Sequence, residues 1–138
     1  QFVTVEFQNN STKLLTIILI ASIFNHMVEE LNDERLSEIL KATSDSTRRS
    51  LLTQLVQQGP MRVTDLASLY DMTLNAISKH IKVLEKAGLV TRTTMGRSHW
   101  IEANLEPVKY IEHWFVQLKS IWELRLNKLD QILIDEEK

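Results

Sequence analysis

Apolar residues along this chain recur mostly at steps of three and four, the spacing of one face of an α-helix. Val28, Leu31, Leu36, Ile39 and Leu40 mark a first core helix over about Val28–Thr43. Ser44-Asp45-Ser46 breaks it and supplies short side-chain oxygens that accept from the free backbone N–H groups of the next helix. Leu51, Leu52, Leu55 and Val56 give the second helix, Thr47–Gln57, its buried stripe, and Gly59-Pro60 ends it. A short helix follows from a Thr64 cap to about Leu69, with Asp65 in its first turn, where a negative charge suits the helix dipole. Tyr70, Asp71 and Met72 form a brief turn, and Thr73 caps another helix that runs to about Ala87. Two helices joined by three residues form a helix-turn-helix, an arrangement that also occurs in proteins that never touch DNA.

The period then shifts from helical to alternating. Leu89, Val90, Arg92 and Thr94 predict a strand, Gly96-Arg97 a turn, and His99–Ala103 a return strand. A helix-turn-helix followed directly by a β-hairpin is a winged helix, a far more specific combination than either half. Helical spacing resumes from Leu105 to about Ile134, with Pro107 in the first turn, where its missing N–H is harmless. Ile111, Trp114, Phe115, Leu118, Ile121, Trp122, Leu126, Leu129, Ile132 and Leu133 form a stripe too long for one small domain to cover. A second copy of the chain is the expected cover. The fold class is therefore mainly α with a β-hairpin wing.

The first 26 residues do not follow this scheme. FVTVEF alternates like a strand, with no evident partner. KLLTIILIASIF is apolar, but twelve residues fall short of the ~20 that a spanning helix needs. It resembles a signal-peptide core, yet Lys13 is its only basic residue and no clear cleavage site follows. Residues 1–26 are expected to be either a leader foreign to the working domain or an extra helix over part of a dimer surface. The winged-helix domain is placed at residues 27–138, with the helix expected to cover itself with a second copy at about 105–134.

Composition narrows the function. At 138 residues, 43% hydrophobic and 25% charged, the chain suits one globular domain rather than a disordered segment. It has no cysteine, which excludes disulfides, thiolate metal sites and thiol redox sensing. Its net charge is −2, but the charge is unevenly placed. Thr73–His99 carries five basic residues against one acid, whereas Glu102–Lys138 carries five against eight. Such a field can orient the molecule on a polyanion. No serine has a credible His and acid constellation, no Gly-rich phosphate loop is present, and no paired carboxylates suggest a cleft. The chain is expected not to be an enzyme and to need no cofactor.

The helix after the turn presents Asn75, Ser78, Lys79, Lys82 and Lys86 opposite Ile77, Ile81 and Leu84. A solvated face is the ordinary reading of such a helix. Its place after a capped turn and before a basic hairpin favours DNA: Asn75 can pair bidentately with adenine, and Ser78 and Lys79 can reach base edges or phosphates. Arg97, at a hairpin tip with no core role, is expected on phosphate or in the minor groove. His80 lies toward the buried side, where packing with one hydrogen bond outweighs a phosphate contact. Arg48 and Arg49 open a helix against its dipole and need an acceptor, either a phosphate or a carboxylate such as that of Asp45. Trp114 and Trp122, eight apart, suit plain core better than the wall of a ligand pocket.

DSTRRSLLTQL, VTDLASLYDMTLNAISKHIKVLEKAGLV and the Gly-Arg hairpin resemble the ArsR/SmtB family of winged-helix repressors, over about Glu38–Ala103. HWFVQLKSIWELRLNKLDQIL resembles a subgroup with a Trp-rich terminal helix. The resemblance implies a dimer formed through the first and last helices, here by Leu31, Ile111, Trp114, Phe115, Leu118, Trp122, Leu126 and Leu129. It also implies DNA contacts from Thr73, Asn75, Ala76, Ser78, Lys79 and Lys82 on the recognition helix and from Arg92, Arg97 and His99 on the wing. Family members that sense metals use cysteines or paired acid and His residues. Here only Glu112-His113 remains on the last helix, too few ligands for a four-coordinate site.

The expected protein is a cytoplasmic homodimeric repressor that binds double-stranded operator DNA, associates with no membrane, and has room for an unidentified small-molecule effector. Two rivals stand beside it. One is a winged-helix module for protein contact that is indifferent to DNA; the other is a metal- or ligand-responsive sensor.

Overall fold

The structure, a computed structural model, describes residues 2–138, with side chains from residue 10 onward. Eight elements follow one another: α1 (Phe2–Thr43), α2 (Ser46–Gln58), β1 (Met61–Arg62), α3 (Val63–Ser68), α4 (Leu74–Lys86), β2 (Val90–Met95), β3 (Ser98–Ala103) and α5 (Val108–Glu136). Backbone contacts divide the chain into two units, residues 1–34 and 35–138.

In the first unit the predicted strand is absent. FVTVEF is helical, and α1 continues through the expected boundary at Met27 without a break. The alternation had no second strand to pair with, whereas a helix forms its backbone hydrogen bonds within one segment. Leu14, Leu15, Ile17, Ile18, Leu19, Ile20, Ile23 and Phe24 are all more than half exposed, and they fall on every side of the helix. The stretch Asn10–Thr43 is long and apolar enough to cross a membrane by length and composition. The twelve-residue limit drawn from sequence does not hold once the helix is continuous.

The second unit is a winged helix. Ile39 and Ala42 of α1, Leu51 and Leu55 of α2, and Val63 and Leu66 of α3 are buried together with Ile77, Ile81 and Leu84 of α4. Leu89, Val90 and Ile101 close the core from the wing side. Each buried Val, Leu or Ile side chain contributes roughly 1.5–3 kcal/mol on leaving water. Val56, expected inside, is 52% exposed, one residue round from the buried Leu55. Of the five residues expected inward on α1, only Ile39 is buried; Leu31 is 57% exposed.

The wing is a three-stranded antiparallel sheet in the order β1-β3-β2. The hairpin register runs from Val90 opposite Ala103 to Met95 opposite Ser98. That leaves Gly96-Arg97 as a two-residue turn, and Gly96 takes φ +61, the left-handed value required at the first position of such a turn. The third strand, β1, was not expected. Its two residues pair Met61 with Ile101 and Arg62 with Trp100, too short a segment to show alternation. Fold class and element order otherwise agree with the sequence reading.

The two arginines at the start of α2 meet backbone carbonyls of the preceding helix. Arg48 Nε donates to the Ala42 carbonyl at 2.6 Å and its Nη2 to that of Lys41 at 3.0 Å. Arg49 Nη1 donates to the Thr43 carbonyl at 2.8 Å. Both guanidinium groups therefore cap the carbonyl end of α1, where positive charge is favourable. Asp45 acts as the N-cap of α2 instead, accepting from the Arg48 N–H at 2.9 Å. That hydrogen bond is the main reason its carboxyl sits below the usual 3.8; the Arg48 and His80 charges add to the effect and desolvation opposes it.

Candidate nucleic-acid interface

The recognition helix is fixed at both ends. Thr73 is extended and its hydroxyl accepts from the Ala76 N–H at 3.2 Å, so the predicted cap is present. The Thr64 cap is not: α3 begins one residue earlier, and Arg62 precedes it with no side-chain cap bond. At its far end α4 closes with paired turns, Leu89 N–H to Leu84 C=O and Gly88 N–H to Glu85 C=O, both at 3.0 Å. That reversal needs a left-handed residue, and Gly88 supplies it at φ +75. A Cβ there would also meet Arg35 Nη2 at 3.1 Å. Asn104 fastens the end of β3 to the same turn, donating from Nδ2 to the Gly88 carbonyl at 3.0 Å and from its backbone N–H to that of Leu89 at 2.8 Å. The wing is thus held against the end of α4 by backbone geometry.

With Ile77, Ile81 and Leu84 buried, the opposite face of α4 is left outward. Asn75, Lys79 and Lys82 are exposed, and Ala76 and Ser78 half-buried. His80 is half-buried, with Nδ1 3.8 Å from Oδ2 of Asp45, the N-cap of α2. Ser78, Arg92, Arg97 and His99 are brought to one pocket of about 220 Å³, whose wall also includes Arg62 and Thr64. The remaining named residues, Thr73, Asn75, Ala76, Lys79 and Lys82, are not in its lining. Arg92 Nε lies 3.6 Å from Glu85 Oε2, so the single acid of this region restrains a wing arginine. His99 Nδ1 lies 3.2 Å from Thr94 Oγ1.

Arg62, Val63, Thr64, Leu74 and Ser98 line the pocket without having been expected there, and Asn104 is an unforeseen tie between the wing and the end of α4. Arg62 stands just before the helix-turn-helix, and only its pairing with β3 carries it to the wing.

On α5 no residue is buried. Phe115, Leu118, Trp122, Leu126 and Leu129 are between 43% and 61% exposed. Ile111 instead packs against the core of its own chain, and Trp114 is half-buried with its ring centroid 5.0 Å from that of Phe115. Within the single chain Trp122 is 61% exposed, so neither a core nor a pocket forms around it there. Among the described residues no group of three or more His, Cys, Asp or Glu side chains is placed to hold a metal ion.

The family model for a helix-turn-helix domain matches residues 43–93. An uncharacterized HTH-type transcriptional regulator of Bacillus subtilis, YuzN, is 39% identical over 77 residues, 51% of this chain and 84% of the relative. The arsenical resistance operon repressor of the same organism is 34% identical over 83 residues, 55% of this chain and 79% of the repressor. The crystal structure of an ArsR family transcriptional regulator superposes with TM-score 0.62 at 35% identity, over 66% of this chain and 93% of the other. An ArsR-like regulator from Rhodococcus gives 0.63 at 27% identity, over 72% and 92%. Winged-helix geometry, an outward polar recognition helix and these likenesses agree: the chain belongs to the ArsR family of winged helix-turn-helix transcriptional regulators, which are not enzymes.

Proposed function

We propose that the protein is a homodimeric repressor whose two α4 helices enter successive major grooves of an inverted repeat. The observation that carries this reading is the outward face of α4, with Asn75, Lys79 and Lys82 exposed beside a wing that collects Arg92, Arg97 and His99. The base readers are Asn75 and Ser78; the lysines and wing arginines contact phosphate and supply affinity through counterion release. Dimerisation runs through the exposed stripe of α5, around Phe115, Leu118, Trp122, Leu126 and Leu129, with Leu31 of α1 also assigned to it. The exposure of that stripe supports a partner of equal hydrophobicity. So does a relative described as a homodimeric winged helix-turn-helix DNA-binding domain, Mb0332 from Mycobacterium bovis. Trp114 and Trp122 support an assignment to the Trp-rich subgroup that this terminal helix resembles. The repressor assignment follows the described role of the arsenical resistance relative.

Fluorescence anisotropy tests this with DNA from upstream of the protein's own coding region against a scrambled duplex, at two salt concentrations. Preference of ~10³-fold or more for the upstream DNA is expected. Replacing Lys79 and Lys82 together by Ala should weaken binding to every sequence and flatten the salt dependence. Asn75→Ala should relax preference at one base pair instead. Wild-type behaviour from both variants would remove α4 from the interface.

A further inference from the structure

We propose that the pocket between α3, α4 and the wing seats one phosphodiester of bound DNA, and that Arg62 is the residue that fixes its register. The inference rests on the DNA-binding reading and adds to it a residue that lies on neither the recognition helix nor the hairpin.

Arg62 is placed by the backbone, because β1 pairs it with Trp100 of β3. Its side chain is braced on two sides. Nε donates to Asp65 Oδ2 at 2.9 Å, and the guanidinium carbon lies 5.9 Å from the centroid of the Trp100 ring. These contacts occupy the Nε edge and one face. Neither Nη atom has a hydrogen-bond partner among the described residues, so both are available as the forked donor that matches a phosphate. Arg92 repeats the device, with Nε restrained by Glu85 at 3.6 Å. Arg97 at the turn has no protein partner among the described residues. The Thr94 contact holds the His99 ring by Nδ1 and leaves Nε2 for a ligand.

The pocket is lined by three arginines, a histidine, Thr64, Ser78 and Ser98, with Val63 and Leu74 as its apolar part, while Asp65 and Glu85 lie outside the lining. Such a wall is matched to an oxyanion. An arginine held in place before the ligand arrives surrenders less side-chain freedom on binding than a free one. Ser78 belongs to α4, so a phosphate seated here is adjacent to the bases that α4 reads, and phosphate contacts of this kind set orientation without reading sequence.

The test compares the intact chain with Arg62→Gln, Arg97→Ala and, as a charge-matched control far along the chain, Lys138→Ala. Thermal melts of each variant establish folding, and Arg97→Ala at the exposed turn keeps the test valid if Arg62→Gln fails to fold. Loss of one phosphate contact should lower the slope of log affinity against log salt by about 0.9, on upstream and scrambled duplexes alike. The wild-type advantage should then shrink about 3.5-fold between 50 and 200 mM salt. Lys138→Ala should keep the wild-type slope. An unchanged slope in folded Arg62→Gln overturns the assignment of Arg62, and unchanged slopes in both pocket variants overturn the pocket.

A second arm titrates inorganic phosphate, against chloride at matched ionic strength, and follows the arginine Nε–H signals by NMR. If wild type binds no DNA but phosphate shifts Arg62 and Arg97, the DNA reading fails. The oxyanion pocket then stands with free phosphate as its source. If phosphate moves neither signal and no DNA binds, both fall.

Discussion

Helices α4 and α5 are both amphipathic, yet they solve opposite problems. In α4 the apolar stripe is enclosed by its own chain: Ile77, Ile81 and Leu84 are fully buried, and the polar face is what remains for a ligand. In α5 the stripe is the exposed part, with Trp122 61% and Phe115 57% accessible and no residue buried. One helix is finished when the monomer folds; the other awaits a surface. Similar apolar spacing in sequence thus marks a core in one case and a face left uncovered by its own chain in the other. What separates them is whether facing elements exist within the same chain.

The comparison is broken most severely from the α4 side. Leu84→Ala leaves a cavity in a fully enclosed site, and chemical denaturation should show a loss of about 2–5 kcal/mol. Trp122→Asp should do the reverse. Light scattering should report a monomer in place of a dimer, while the secondary structure of residues 35–138 persists. If the aspartate variant stays dimeric, the α5 stripe is covered by something other than a second copy.

The smallest effect sharpens the α4 side through its link to α2. Asp45 is held below its ordinary value chiefly by the Arg48 N–H, so the unfolded chain takes up the proton first as pH falls. The carboxylate therefore contributes stability above the unfolded value of 3.8, and the contribution disappears as pH drops through the lower folded value. Asp45→Asn should flatten the acid limb of a stability-versus-pH curve below about pH 4. An acid limb identical to wild type would show that Asp45 carries no proton linkage to folding.

Much of the site was legible because its signals are local. Thr73 precedes a helix and caps it; Gly88 follows one and reverses the chain; Gly96-Arg97 occupies a two-residue turn. Each depends on neighbours within about four positions. Arg62 was invisible for the opposite reason. Its partner Trp100 is remote in sequence, and β1 is too short for a period to register. The helix-opening arginines show the same limit: the need for an acceptor could be read, but not that carbonyls of the preceding helix would meet it.

By itself the sequence determined the order of the helices and hairpin strands from α2 onward, the outward polar face of α4 and the basic wing, since helical and strand periods, caps and turn residues act over a few positions. Tertiary structure alone decided that α1 is one uninterrupted helix, that a third strand delivers Arg62 to the wing, and that Trp122 is surface rather than core. Those outcomes depend on which distant segment lies opposite, and apolar spacing records that a face must be covered without recording by what.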